Sequence, residues 1–521
     1  MDTKALRQKI LDLAIRGKLV PQDPNDEPAS VLIERIRAEK LQMVKDGKLK
    51  PKDIKNDTII FKGDDNLHYE KFSDGSVKCI EDEIPFEVPE GWEWTRLGNL
   101  SSLIQYGLSN SAETQGTHRL LRITDIQDGK VNWKDVPFTT MENAENYLLR
   151  KDDIVFARTG ATVGKSFLVT ELPFESVYAS YLIRIRLFDC ISPSYLYQFF
   201  NSYCYWEQIT DKSVGVGQPN CNGTSLKELF IPLPPLHEQK RIVPAANALL
   251  KYASVIESEM ASLQEIIVLT KSKILDLAIR GKLVPPDPND EPASVLLERI
   301  RAEKEGLIKQ GKIKRDKKES FIFLGDDNSY YEKIGNDIIC IDDEIPFDIP
   351  PTWNWCRLGT IGDWAAGATP NRKNSEYFIG NIPWLKTGDL NDNYITYIPE
   401  HISEKALQHS SLRLNPTGSV LIAMYGATIG RLGILTFPAT TNQACCACLP
   451  FDGIDNKYLF YYLMSQKSNF IYRGVGGAQS NISKEKIIST LFPLPPKEEQ
   501  HMILSQIEKL MKLIRQFEEL L

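Results

Sequence analysis

No run of eighteen apolar residues occurs anywhere in the 521-residue chain, so no segment is predicted to cross a bilayer as a helix. The start, MDTKALRQKI, carries charge at Asp2 and Lys4 and lacks the apolar stretch of a secretory leader, so a cytoplasmic protein is expected. Cysteine is sparse: nine residues, an odd number without regular spacing, give no disulfide framework in a chain this long. Cys445, Cys446 and Cys448 fall together in NQACCACLP, yet no histidine or second cysteine pair nearby completes a ligand set. Buried strand thiols are the expectation there, and no metal is assigned. A surplus of positive charge is missing too, the formal net charge being −7. That does not exclude nucleic acid, because phosphate contacts require a local patch and not a global excess.

Catalytic signatures are also absent. A methyltransferase needs a glycine-rich cofactor loop and, for amino methylation, a [DN]PP[FY] clamp; the nearest segments, DPND and LPP, lack the aromatic that would stack on a flipped base. GATVGKS at Gly160 has three residues between its glycines where a phosphate loop has four, and its repeat GATIGRL at Gly426 loses both Lys and Ser. It reads as a strand-turn-strand element that shows a basic residue. The Asp-Gly-Lys triplets at Asp46 and Asp128 are too common to signal a nuclease.

What the sequence does have is repetition. From Lys9 it reads KILDLAIRGKLVPQDPNDEPASVLIERIRAEK, and from Lys273 the same thirty-two positions return with only Gln22/Pro286 and Ile33/Leu297 changed. EDEIPFEVPEGWEWTRLG at Glu81 returns as DDEIPFDIPPTWNWCRLG at Asp342, and LFIPLPPLHEQ at Leu229 as LFPLPPKEEQ at Leu491. Near-duplicate segments therefore alternate with divergent ones, within which only ARTGATVGK at Ala157 and AMYGATIGR at Ala423 match well.

The divergent blocks read as α/β or α+β. Apolar runs such as DIVFAR, KSFLVT and YLIRIRLF, and SVLIAMYG, GILTF and ACCACL, are predicted strands between Gly, Pro and Asn turns. PSYLYQFFNSY and NKYLFYYLMSQ are predicted helices whose aromatics pack on the sheet. Trp92, Trp94, Trp353 and Trp355 sit at matched junctions, where packing is favoured over a base-stacking platform. The shared blocks are helical. From Ala246, the positions Leu249, Ala253, Ile256, Met260, Leu263, Ile267, Thr270, Ile274 and Leu277 advance by alternating threes and fours. That is an a/d seam along a rod of about 50 Å, with Pro244 starting or kinking it.

The termini repeat this seam in two pieces. Ile507, Leu510, Ile514, Phe517 and Leu521, shifted by 261 residues, fall on its first half; Thr3, Leu6, Ile10 and Leu13, shifted by 264, fall on its second. Between seam and domain lie basic arms, 28–55 and 292–318. Arg35 to Lys55 holds eight Lys or Arg against three acids and Arg299 to Lys318 nine against three, which reads as solvated helix faces or as surfaces turned to a partner or to DNA.

The duplicated IRGKLVP at Ile15 and Ile279, the PLPPLHEQ and PLPPKEEQ exits and the helix split between the termini resemble, over essentially the whole chain, the specificity subunit of type I restriction-modification systems. The resemblance implies a fold of class α+β: two α/β-type target-recognition domains separated by two long antiparallel coiled-coil helices, pseudo-twofold, with the termini meeting. In segments it implies 1–80 as the N-terminal half of the distal helix plus an arm, 81–235 as the first recognition domain and 236–281 as the central helix. It continues with 282–341 as the second arm, 342–495 as the second recognition domain and 496–521 as the C-terminal half of the distal helix. It also implies a non-catalytic chain that reads an asymmetric bipartite site in double-stranded DNA and scaffolds two adenine methyltransferase subunits, which two restriction subunits can join. No cofactor is then expected on this chain; S-adenosylmethionine and ATP would sit on the partners.

Base reading calls for Arg or Lys toward guanine and Asn or Gln toward adenine, on loops held near phosphates by Lys, Arg, Ser and Thr. The candidates in the first domain are Arg122, Thr124, Arg158, Thr159, Lys165, Gln218 and Asn220. In the second they are Lys386, Thr387, Tyr425, Thr428, Arg431, Gln479, Ser480 and Asn481. Arg158 faces Met424 in the alignment of the halves and Thr159 faces Tyr425, so the half-sites are predicted to differ. Domains on such rods would address major grooves about 34 Å apart. A rival reading is a structural adaptor that clamps two identical partners and never touches DNA.

Overall fold

The structure, a computed structural model, describes residues 2–127, 129–212, 220–315, 319–474 and 481–521. It divides into two compact units, Met1–Met260 and Ala261–Leu521. Among the described residues no helix is long and apolar enough to cross a membrane.

The first unit opens with a helix, Thr3–Ile15, whose free N–H groups begin to be satisfied by the Asp2 carboxylate, which accepts from the Ala5 N–H at 2.9 Å. The turn after it needs Gly17: φ is +64°, and a Cβ there would lie 2.4 Å from Pro89 Cγ. An arm follows, made of the helix Ala29–Lys45 and an antiparallel sheet of Ile59–Lys62, His68–Lys71 and Val77–Cys79. The strand Glu93–Arg96 leads into the divergent block and pairs antiparallel with Phe230–Leu233, the strand that leads out. Both ends of the block are thereby fixed to one ladder. Inside it, an antiparallel sheet runs in the order Ser166–Leu168, Ile154–Ala157, Leu182–Leu187, Ser101–Tyr106. Ile154–Ala157 is buried at every position, as its unbroken apolar run predicts for a strand covered on both faces.

A helix of 44 residues, Leu236–Ile279, closes the first unit and opens the second. In the first unit Thr3–Ile15 packs on it, with Ile10 and Ala14 in one buried cluster with Ile242, Ala246 and Ala253. Arg7 reaches Ser254 at 2.8 Å and Glu257 at 3.0 Å.

The second unit repeats the order. The last turns of the long helix stand where Thr3–Ile15 stood. The arm helix is Ala293–Lys309, and the arm sheet comprises Ser320–Leu324, Tyr330–Ile334 and Asp337–Cys340. Asn354–Arg357 pairs with Leu491–Leu494 in a two-stranded ladder, and the block between them holds a five-stranded sheet in the order Gly362–Ala366, Cys445–Pro450, Val420–Ala423, Leu432–Leu435, Asn393–Ile395. The C-terminal helix Lys497–Leu520 then packs its Ile503, Leu504 and Ile507 in one cluster with Ile274, Leu275 and Ala278. Lys271 binds Glu518 at 2.7 Å, the Arg7–Glu257 pair repeated at the shifted positions.

The predicted seam needs correction at three residues. Leu249 and Phe517 are exposed, at 41% and 48%, and Thr270 is exposed as well. The stripe that packs in the first unit passes through Ile242, Ala246, Leu250 and Ala253, because a helix of 3.6 residues per turn drifts off a strict 3.5 repeat. Ile10 and Ile274 are buried, and Leu6, Leu13, Ile256, Leu263, Leu277, Leu510 and Ile514 are half-buried. Pro244 does not start the rod; it lies inside a helix that begins at Leu236.

The helices Pro193–Phe199 and Asn456–Ser465 turn Tyr195, Phe199, Tyr458 and Tyr462 inward. All four junction tryptophans are buried; the Trp92 and Trp353 indoles donate to Glu238 and Glu499, each at 2.8 Å. Cys445, Cys446 and Cys448 lie buried in one strand, and burial pushes the Cys446 thiol up to about 12. Such thiols are poor metal ligands at neutral pH.

Candidate nucleic-acid interface

In both recognition blocks a tight turn joins two buried strands and carries polar side chains at its rim. In the first unit it follows Ile154–Ala157. Gly160 and Gly164 take φ of +73° and +91°, and a Cβ on Gly164 would strike the Trp206 ring at 2.5 Å. Between them Gly160–Thr162 forms a single 3₁₀ turn, and the Thr162 hydroxyl donates to the Thr159 carbonyl at 3.2 Å. The second unit builds the same turn at Gly426–Thr428, where the Thr428 hydroxyl donates to the Tyr425 carbonyl at 2.9 Å.

A second segment meets each turn. Thr159 forms an antiparallel bridge with Asn220, and Tyr425 forms one with Asn481. The Cys221 N–H donates to the Arg158 carbonyl at 2.9 Å, and the Ile482 N–H to the Met424 carbonyl at the same distance. Candidates far apart in sequence thus become neighbours at one rim: Arg158, Thr159, Lys165 and Asn220 in one unit, Tyr425, Thr428, Arg431 and Asn481 in the other. Lys165, Asn220, Tyr425, Arg431 and Asn481 are exposed there. Gln218, Gln479 and Ser480 lie outside the described residues.

The rims differ as the alignment of the halves predicts. The Arg158 guanidinium lies over the Tyr106 ring, 4.9 Å from its centroid, while Met424 at the matched place is buried. Tyr106 and Tyr181 are both exposed beside Arg158, and Tyr181 accepts its backbone N–H at 3.1 Å. Sequence reasoning missed these tyrosines; for Tyr181 the signal was its place at the start of the predicted strand YLIRIRLF, while Tyr106 falls outside every predicted strand.

Arg122 and Lys386 each precede a 3₁₀ turn of their own, Ile123–Asp125 and Thr387–Asp389. Arg122 is held by Asp125, its Nη2 at 2.7 Å from Oδ1 and its Nε at 3.1 Å from Oδ2, which pushes its pKa above the ordinary arginine value. Lys386 is paired with Glu400, and its backbone N–H donates to Asp389 at 2.8 Å. Thr124 is exposed beside Arg122, and Thr387 is half-buried beside Lys386. These cations already have acidic partners, so each would have to release one before meeting a base. Much of the arms' charge is spent in the same way. Arg35 binds Glu27 and Arg299 binds Glu291, Arg315 binds Glu305, and buried Lys40 donates to Asp57 and to the Gly98 carbonyl, both at 2.8 Å.

Two like frames, each offering a different set of polar and aromatic side chains from the same turn, define a duplicated recognition protein. Residues 89–266 and 350–520 match the family described as Type I restriction modification DNA specificity domain, and the chain belongs to that family. It is similar to the Type I restriction enzyme EcoAI specificity subunit of Escherichia coli, at 28% identity over 98% of this chain and 89% of the relative. It is equally similar to the EcoEI specificity subunit of the same organism, at 28% identity over 98% and 90%. Among solved structures, a chain from a study of complex assembly and conformational transition in the type I R-M system matches with a TM-score of 0.59 and 21% identity, over 84% of this chain and 94% of that one. The HsdS subunit from Thermoanaerobacter tengcongensis matches with a TM-score of 0.50 and 20% identity, over 84% and 93%. These two likenesses speak for the fold. The chain is a specificity subunit of a type I restriction-modification system.

Proposed function

We propose that this subunit reads an asymmetric, interrupted DNA sequence through two recognition domains, 81–235 and 342–495, and itself carries out no chemistry. The observation that carries the reading is the shared turn with unlike rims. Lys165 and Asn220 offer donors suited to guanine and adenine edges, as Arg431 and Asn481 do, while Arg158 and Thr159 stand where the second unit has buried Met424 and exposed Tyr425. Unlike rims on like frames suit unlike half-sites. Base contacts from Arg122, Thr124, Lys386, Thr387, Gln218, Gln479 and Ser480 belong to the same proposal.

The duplicated segments would present equivalent surfaces to two copies of one methyltransferase, and through them to restriction subunits; S-adenosylmethionine and ATP would be bound by those partners. Repetition of Arg7–Glu257 as Lys271–Glu518 supports like surfaces on the two units, each built from a terminal helix packed on part of the long one. Binding of the reconstituted methyltransferase complex to a pool of random duplexes tests this reading. One interrupted motif should be enriched, and Arg158→Glu with Arg431→Glu should abolish the enrichment. Equal binding to every duplex, or enrichment unchanged by both reversals, would leave an adaptor that never touches DNA.

A further inference from the structure

Away from the recognition turns, the first unit carries a set of donors that the second lacks. His68 opens the middle strand of the arm sheet and is buried, at 5% exposure, with Nδ1 2.7 Å from Glu81 Oε2. Glu81 sits on the strap that runs from the arm to the incoming strand, and Glu87 lies further along it. One ligand atom from each of His68, Glu81 and Glu87 lies within 4.8 Å of the others. Glu93, on the incoming strand, is half-buried near the same ring; burial pushes its carboxyl up and His68 draws it down. Lys62 pairs with Glu87 at 3.1 Å.

The repeat separates what the fold needs from what has been added. In the second unit Asp342 accepts the Tyr330 backbone N–H at 2.5 Å, as Glu81 accepts that of His68 at 2.8 Å. An acid at this place therefore serves the backbone in both units and requires no imidazole. The rest changes together: His68 becomes Tyr330, Glu87 becomes Asp348, Glu93 becomes Asn354 and Lys62 becomes Leu324. What the first unit adds is a nitrogen donor and a third carboxylate, with Lys62 as one local cation.

We propose that His68, Glu81 and Glu87 form a divalent-cation site, suited to Zn²⁺, that clips the arm sheet of the first unit to its strap. One imidazole nitrogen and two carboxylate oxygens are a ligand set zinc accepts, leaving a fourth position for water or Glu93. Binding takes the Nδ1 lone pair, so the neutral ring carries its single proton on Nε2. Zinc bonds of about 2.0–2.2 Å would draw the three donors inward from their present spread. Glu87 is the exposed ligand of the three and would exchange its Lys62 partner for the cation.

Calorimetric titration of the full chain with ZnCl₂ tests this, with Co²⁺ absorption as a second probe. Glu87→Gln is exposed and should leave the fold intact; His68→Tyr installs the side chain of the second unit. Each should weaken one zinc site about tenfold or more. The Co²⁺ spectrum should lack the strong thiolate charge-transfer band, and zinc should raise the unfolding temperature of the wild type but not of Glu87→Gln. Absence of any zinc site, wild-type affinity in both variants, or a thiolate band tracing the metal to cysteine overturns the proposal.

Discussion

Two acids at matched places in the two units have different neighbours. In the first unit Asp26 receives Arg241 at 2.6 and 3.3 Å, and Gln22 lies beside Glu238 with its amide donating to the Gly17 carbonyl at 2.7 Å. In the second unit the acid is Asp290, Met502 stands where Arg241 stands, and Pro286 stands where Gln22 stands. Asp290 Oδ2 is buried there without a hydrogen-bond partner. Glu238 and Glu499 each leave one carboxylate oxygen in the same condition, so the units differ at the aspartate. Contacts near this place and on the arm sheet are repeated. Gln239 and Gln500 accept backbone N–H groups at 2.9 Å, and Arg96–Glu70 recurs as Arg357–Glu332. The contacts that close each unit are common to both, while the aspartate has a charge partner in the first unit alone. One of the two differences in the thirty-two-residue repeat falls at that spot.

The repeated contacts should fail alike. Arg96 and Arg357 each neutralise a buried glutamate on the arm sheet, and replacing either by alanine leaves that carboxylate unpaired, at a cost of about 3–5 kcal/mol. Hydrogen exchange resolved by segment should show comparable loss of protection in the arm sheet of whichever unit is mutated. A large loss in one and none in the other would break the equivalence.

The unshared contact should be transferable. Arg241→Met strands Asp26 and should destabilise the first unit by about 1–3 kcal/mol, and Met502→Arg should stabilise the second by a similar amount. The two substitutions should also exchange pH dependence. Burial pushes the Asp290 carboxyl up, with Asp287 and Glu498 adding to it, and burial together with Asp290 pushes Glu499 up against the pull of its Trp353 hydrogen bond. A raised carboxyl contributes stability in full below the ordinary carboxylate range and loses it as pH climbs through the raised value. The second unit should therefore soften as pH climbs above that range, and Met502→Arg should flatten the trend in thermal unfolding. Glu238 is raised by burial as well, so the first unit should show a weaker form of the same slope.

Duplication, strands and helices were legible because apolar period and repeated motifs report local burial directly. The seam was legible only in part. Its period could be counted, but which side of Ala253 packs depends on the partner helix, and Leu250 replaced Leu249 at the contact. The bridges from Thr159 to Asn220 and from Tyr425 to Asn481 depend on chain crossings that no local pattern encodes. Pairing of Arg122 with Asp125 was available in the RITD spacing, since a side chain three residues on can return to the backbone N–H it leaves free. The donors around His68 come from a strand and a strap without any regular metal spacing, so only the fold brings them together.

The recognition rims sharpen the comparison further. Arg158→Met with Thr159→Tyr installs the second unit's pair on the first unit's turn. Methylation-sensitive sequencing should then show one half-site relaxed or changed and the other intact, each lost bidentate contact costing about 1–3 kcal/mol of discrimination. Changes at both half-sites would mean that the two turns do not act separately.

The smallest effect concerns the helix pairs. Arg7–Glu257 and Lys271–Glu518 are partly exposed and flank seams whose apolar clusters are already buried, so either cation replaced by alanine should cost only about 0.2–1 kcal/mol, less at high salt. Lys271→Arg should change little, because the carboxylate across from it is open to solvent on its outer side. A double-mutant cycle on each pair measures the coupling directly. A coupling well above that range in one pair alone would mean that charge, and not the apolar stripe, fixes the register of that helix against the long one; the duplication would then have preserved position while exchanging the force that holds it.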